Sequence, residues 1–142
     1  SFTVSGLEAL LGWAAAQGLR LAVVTGGSQR HLSITMDALG FRSLFDMVRF
    51  GAKDWTKQGN LTHVLAKWRL PREQVSYVSD SPRDVELALA HGVVPLGAAW
   101  ARGAQLEGLR AAGALEVFVS PEALQHWLAV GLGSLSLEAC PP

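Results

Sequence analysis

The chain has 142 residues, sets 12 basic against 12 acidic side chains, and carries one cysteine, Cys140. Its 49% hydrophobic and 17% charged content excludes a disordered chain, and with no Lys/Arg cluster there is no electrostatic footprint for nucleic acid. A lone cysteine excludes an internal disulfide framework and fits a reducing compartment; without an apolar leader or a bilayer-length apolar run, the expectation is a cytoplasmic protein with no membrane partner.

Strands and helices alternate along the chain. Leu7, Leu10, Leu11 and Ala14 keep helical spacing, and Gly18 stands where a helix-ending glycine belongs. Leu19 to Val24 reads as a buried strand running into Thr25-Gly26-Gly27-Ser28. Leu32, Thr35, Met36 and Leu39 mark a second helix, stopped by Gly40. Phe45 to Phe50 is a short strand candidate interrupted by Asp46 and Arg49, and Gly51 to Gly59 reads as a loop carrying Lys53, Asp54 and Lys57.

Asn60 is the expected cap of a helix carrying Leu61, Val64, Leu65 and Trp68, which Leu70-Pro71 breaks. Val75 to Val78 is then a strand, followed by a helix using Val85, Ala88 and Leu89 and ending at Gly92. Val93 to Leu96 is another strand, and Gly97 to Gly103 a loop. Leu106, Leu109 and Arg110 suggest a helix, and Glu116 to Val119 the last strand. Ser120-Pro121 opens a helix through Leu124, Trp127 and Leu128. The Gly/Ser-rich stretch 131–142 is expected to be a loose tail behind a single domain, 1–130. This alternation predicts an α/β fold: a three-layer, Rossmann-like parallel sheet with helices on both faces.

The chemistry gathers at three strand ends. Val75 to Val85 is the most informative stretch: the strand runs out at Ser79-Asp80, Ser81 suits an N-cap, Pro82 the first helical position, and Asp84 lies three residues after the cap. Ligands of open α/β sheets bind at the carboxyl ends of strands, so Asp80 and Asp84 are candidate ligands of a divalent cation. Asp84 has a second reading, as the acidic half of a capping box; Asp80 has no capping duty. Thr25 and Gly26 offer a hydroxyl and backbone N–H groups to an anion, or simply form a tight turn. Lys57 or Lys53 supplies a positive charge to the same anion, the other being solvated.

A hydroxyl, a lysine and paired acids at successive strand ends resemble the haloacid dehalogenase superfamily, in particular its phosphoglycolate-phosphatase-like branch. The resemblance runs from about Gly6 to Leu128. It rests on Leu21-Ala-Val-Val-Thr-Gly-Gly27, on Thr56-Lys57-Gln58-Gly59-Asn60-Leu61, and on Tyr77-Val-Ser-Asp-Ser-Pro-Arg-Asp-Val85, with Ser79 where glycine is more usual. It implies a Mg2+-dependent phosphatase acting on a small phosphorylated metabolite through an aspartyl-phosphate. Thr25, Gly26 and Lys57 would hold the phosphate, with Thr25 and Lys57 in the catalytic set, and Asp80 and Asp84 would hold the metal.

One departure is large. Members of the family carry an early strand ending in Asp-x-Asp, whose first aspartate is the nucleophile, and this sequence contains no Asp-x-Asp. The chain starts at Ser1 without Met, as a processed or excised piece would, and is expected to be inactive alone. In the family the missing strand lies centrally, between those ending here at Val24 and Val78, so a lost N-terminal segment, a rearranged sheet, or a partner chain or second copy is expected to fill the gap. Ser1 to Val4 is strand-like but has no acid. The alternative is a non-catalytic binding or assembly subunit of the same fold. A remoter one, an NAD-dependent oxidoreductase, rests on Val23 to Ser28 but lacks the further glycines and the Tyr-x-x-x-Lys pair. His31, His63, His91 and His126 are scattered and read as structural. Trp13, Trp68 and Trp127 read as packing residues, and Trp55 and Trp100 as pocket neighbours.

Overall fold

Two short apolar strands and one polar side chain start the sheet. The structure, a computed structural model, describes residues 5–24, 42–49, 56–100 and 104–139. Helix α1 (Ser5–Ala16) ends before Gly18, whose φ of 82° is the left-handed conformation that favours glycine. Strand β1 (Ala22–Val24) pairs in parallel with β2 (Met47–Arg49), Val23 lying opposite Val48. Asp46, which interrupts the apolar run in the sequence, has a structural use here. Its carboxylate accepts the Leu21 N–H at 2.8 Å, while its own N–H donates to the Leu21 carbonyl at 2.8 Å. The helix expected over Leu32 to Leu39 lies outside the described residues.

Helix α2 (Lys57–Trp68) begins earlier than the sequence suggested. Thr56 is its cap, accepting the Gly59 N–H at 3.0 Å, and Asn60 is buried inside the first turn. The correction has a simple cause: a threonine hydroxyl at 56 satisfies an orphan donor, so the helix need not wait for Asn60. Lys57 therefore belongs to the rigid first turn instead of a loop. The helix ends at Arg69, in the left-handed region with φ 53°, because the following Leu70-Pro71 cannot continue it.

Strand β3 (Ser76–Ser79) leads into α3 (Pro82–Ala90), followed by β4 (Val94–Ala98), α4 (Leu106–Ala112), β5 (Glu116–Phe118) and α5 (Pro121–Ala139). Strands β3, β4 and β5 pair in parallel in that order. The α/β reading with parallel strands holds, but several details change. β4 extends through Gly97 and Ala98, which were expected in a loop. Helix α5 runs on to Ala139, so the supposed loose tail is helical almost to its end. Leu89, expected on the buried face of α3, is 49% exposed and leans against Gly113, while Val85 and Ala88 are buried.

The core lies on both faces of the sheet. On one, Leu61, Leu65, Val75, Ala88 and Val93 form a buried cluster, with Val24, Trp68 and Tyr77 packed against it. On the other, Leu10, Leu96, Phe118 and Leu124 are joined by Trp13, Trp100 and Trp127. Trp100 is half-buried against this second cluster; Trp55 lies outside the described residues. Gly97 is where α4 comes closest to the sheet: a Cβ there would stand 3.2 Å from Leu109 Cδ1 and 3.1 Å from Val117 Cγ2. Among the described residues no helix is long and apolar enough to cross a membrane.

The sheet is in two parts. Among the described residues β1 pairs only with β2, and no strand joins it to β3. The Val94 N–H donates to the Val75 carbonyl at 2.8 Å, so alternate residues 75, 77 and 79 turn their backbone toward β4. Ser76 and Val78 turn theirs the other way. Val78 is 42% exposed, although Leu96, its register partner on β4, is 0% exposed.

Candidate active site

The turn between β3 and α3 is built on Ser79. Its Oγ accepts the Ser81 N–H at 3.1 Å and donates to Asp84 Oδ2 at 2.6 Å. A capping box would instead use the Asp84 carboxylate to accept the Ser81 N–H. The Ser81 side chain makes no capping bond either. Asp84 is thereby released from local duty, although its place in the first turn still favours the helix dipole.

That carboxylate is spent on a distant lysine. Lys57 Nζ donates to Asp84 Oδ1 at 3.1 Å and to Oδ2 at 3.0 Å, joining the first turns of α2 and α3. The side chains are 34% and 12% exposed, so the pair is half shielded from solvent. Beneath it, burial pushes the Tyr77 phenol well above its ordinary value and the Asp84 carboxylate adds to the effect, so Tyr77 stays neutral. Asp80, one residue beyond Ser79, is exposed at the carboxyl end of β3.

Of the sequence candidates, the structure brings Lys57 and Asp84 into contact and leaves Asp80 open on the adjoining turn. Thr25, Gly26 and Lys53 lie outside the described residues; β1 runs into Thr25 directly after Val24. Among the described residues no group of three or more His, Cys, Asp or Glu side chains converges. The open Asp80 carboxylate nevertheless suits Mg2+, which takes one or two carboxylates from the protein and completes its shell with water and substrate oxygens, whereas Asp84, the other candidate ligand, already accepts Lys57 and Ser79. His91 has structural work: its Nε2 lies 3.2 Å from Thr62 Oγ1 and its Nδ1 2.9 Å from the Leu87 carbonyl oxygen. Sequence reasoning missed the role of Ser79. The signal was visible in a hydroxyl standing where glycine is more usual.

Replacing Asp84 by alanine is expected to lower stability by about 1–2 kcal/mol, because Lys57 and Ser79 both lose their acceptor. The cost is held down by the freedom of Lys57 to swing into water. Urea unfolding checks this; a loss below 0.5 kcal/mol would show that the clamp carries no stability.

A family model of haloacid dehalogenase-like hydrolases matches residues 3–98. The chain is 28% identical over 95 residues to a phosphoglycolate phosphatase of Synechococcus elongatus, which covers 67% of this chain and 45% of that relative. It superposes on a haloacid dehalogenase-like family protein from Streptococcus pneumoniae with a TM-score of 0.77 and 17% identity, covering 85% of this chain and 57% of that one. A hydrolase from Pseudomonas syringae gives 0.74 and 21%, covering 89% and 58%. The chain spans about half the length of these proteins.

Proposed function

Because the chain belongs to the haloacid dehalogenase-like hydrolases, we propose that it is the core portion of a Mg2+-dependent phosphatase acting on small phosphorylated metabolites. The observation that carries this reading is the Lys57–Asp84 clamp beside the open Asp80 carboxylate. Similarity to a phosphoglycolate phosphatase supports the substrate class.

Each residue has a distinct part. Asp80 holds the metal, and Asp84, with both oxygens engaged, anchors the lysine. Lys57 presents its ammonium to the phosphate, and Thr25 and Gly26 offer a hydroxyl and a backbone N–H to the same group. When bound, Mg2+ supplies a Lewis-acidic counter-charge for phosphate oxygens. The nucleophilic carboxylate comes from a strand outside these 142 residues, in a further segment or in another chain that carries Asp-x-Asp, seated between β1 and β3. Support for that seat is the outward-turned backbone of Ser76 and Val78 and the half-bare Val78 side chain. The same open edge also suits a non-catalytic assembly subunit.

The metal assignment is tested on the chain itself by nuclear magnetic resonance. Titration with Mg2+ in the presence of inorganic phosphate should shift the amide signals of residues 79–84, and Asp80→Ala should weaken binding at least about tenfold. Equal affinity in the variant would remove Asp80 from the metal site.

A further inference from the structure

We propose that Ser79 is a positioning residue that holds the Lys57 ammonium in place through Asp84. The inference rests on the reading of Lys57 as the phosphate-facing cation, yet its geometry stands alone. Ser79 is the last residue of β3 and is nearly buried, so its side chain is fixed by the sheet. Its single hydroxyl proton goes to Asp84 Oδ2 at 2.6 Å, the shortest contact that carboxylate makes. Its oxygen meanwhile accepts the Ser81 N–H at 3.1 Å. One atom therefore ties the strand end, the helix start and the carboxylate together across Asp80. With the hydroxyl removed, Asp84 keeps, among the described residues, the side chain of Lys57 alone, a long side chain with 34% exposure and several rotamers. The pair would then wander as a unit.

Lysine acylation reads this directly. The sequence has three lysines, Lys53, Lys57 and Lys67, and exposed Lys67 on the same helix serves as the internal reference. Under limiting acetylating reagent, quantified by peptide mass spectrometry, Lys57 of the intact chain should react slowly, because a clamped amine is shielded. Ser79→Ala should raise its rate relative to Lys67 about tenfold, the loss expected of one hydrogen bond to a charged group. Ser79→Gly should do the same, and Ser79→Thr, which keeps the hydroxyl, should restore slow reaction.

An unchanged Lys57 rate in both Ala and Gly variants would overturn the proposal. A parallel rise at Lys57 and Lys67 would overturn it as well, since that reports general loosening. Neither Mg2+ nor phosphate enters the assay, so a failure here leaves the Asp80 metal reading standing, and the reverse holds too.

Discussion

Alone, the chain is expected to show no detectable hydrolysis of a phosphate monoester. Mixed with a separately expressed segment carrying an apolar strand that ends in Asp-x-Asp, it is expected to gain turnover. The reason is chemical. In the proposed reading Lys57, Thr25 and a bound metal would orient the phosphate and offset its charge, but none of them would form the covalent intermediate that divides the reaction into two easier steps. Removal of a nucleophile from a hydrolase costs on the order of 10^4 to 10^6 in rate, which is expected to put phosphate release by the isolated chain below detection. The proposed place for the added strand is the side of β3 away from β4, where Ser76 and Val78 turn their backbone groups and no strand pairs among the described residues. Phosphate release from phosphoglycolate, with and without the added segment, is the measurement. Turnover by the chain alone that disappears in Lys57→Ala would mean that the nucleophile lies within these 142 residues. A stable oligomer that stays inert in every mixture would favour the assembly-subunit reading.

Leu96→Ala is expected to cost about 3 kcal/mol, within the range for truncating a fully buried leucine. Leu96 is central to the cluster with Leu10, Phe118 and Leu124, and the cavity left behind is bounded by α1, α5 and β5, whose packing limits collapse. For a chain of this length the loss corresponds to roughly 10 °C in melting temperature. Val78→Ala is the control, since the two residues are register partners on adjacent strands. Because Val78 is already partly in water, its truncation should cost under about 1 kcal/mol in the isolated chain. Comparable urea midpoints for the two variants would mean that β3 and β4 are equally covered, contrary to the open edge.

Much of the fold was legible because it depends on local rules. Gly18 and Gly92 end helices in the left-handed conformation, and Pro82 opens one. Apolar runs ending at Val24 and near Val78 became strands, as their composition required. Where local signals competed, the reading slipped by a few residues. Thr56 displaced Asn60 as a cap, and β4 continued through Gly97 because a residue without Cβ lets α4 close over the strand. The Gly/Ser content of 131–139 did not prevent α5 from extending, so propensity was a weak guide there.

Lys57, Asp80 and Asp84 could be named from the sequence by their residue types and their positions at strand ends. The absence of Asp-x-Asp is also legible in the sequence alone. What only the tertiary structure decided is how those residues divide the work. Lys57 and Asp84 are 27 positions apart and meet because two helices start side by side. Ser79 accepts the N–H that Asp84 would otherwise have capped, and this frees the carboxylate for the lysine. Local spacing specifies which groups a turn can offer; which of them are consumed by one another depends on contacts between segments distant in the chain.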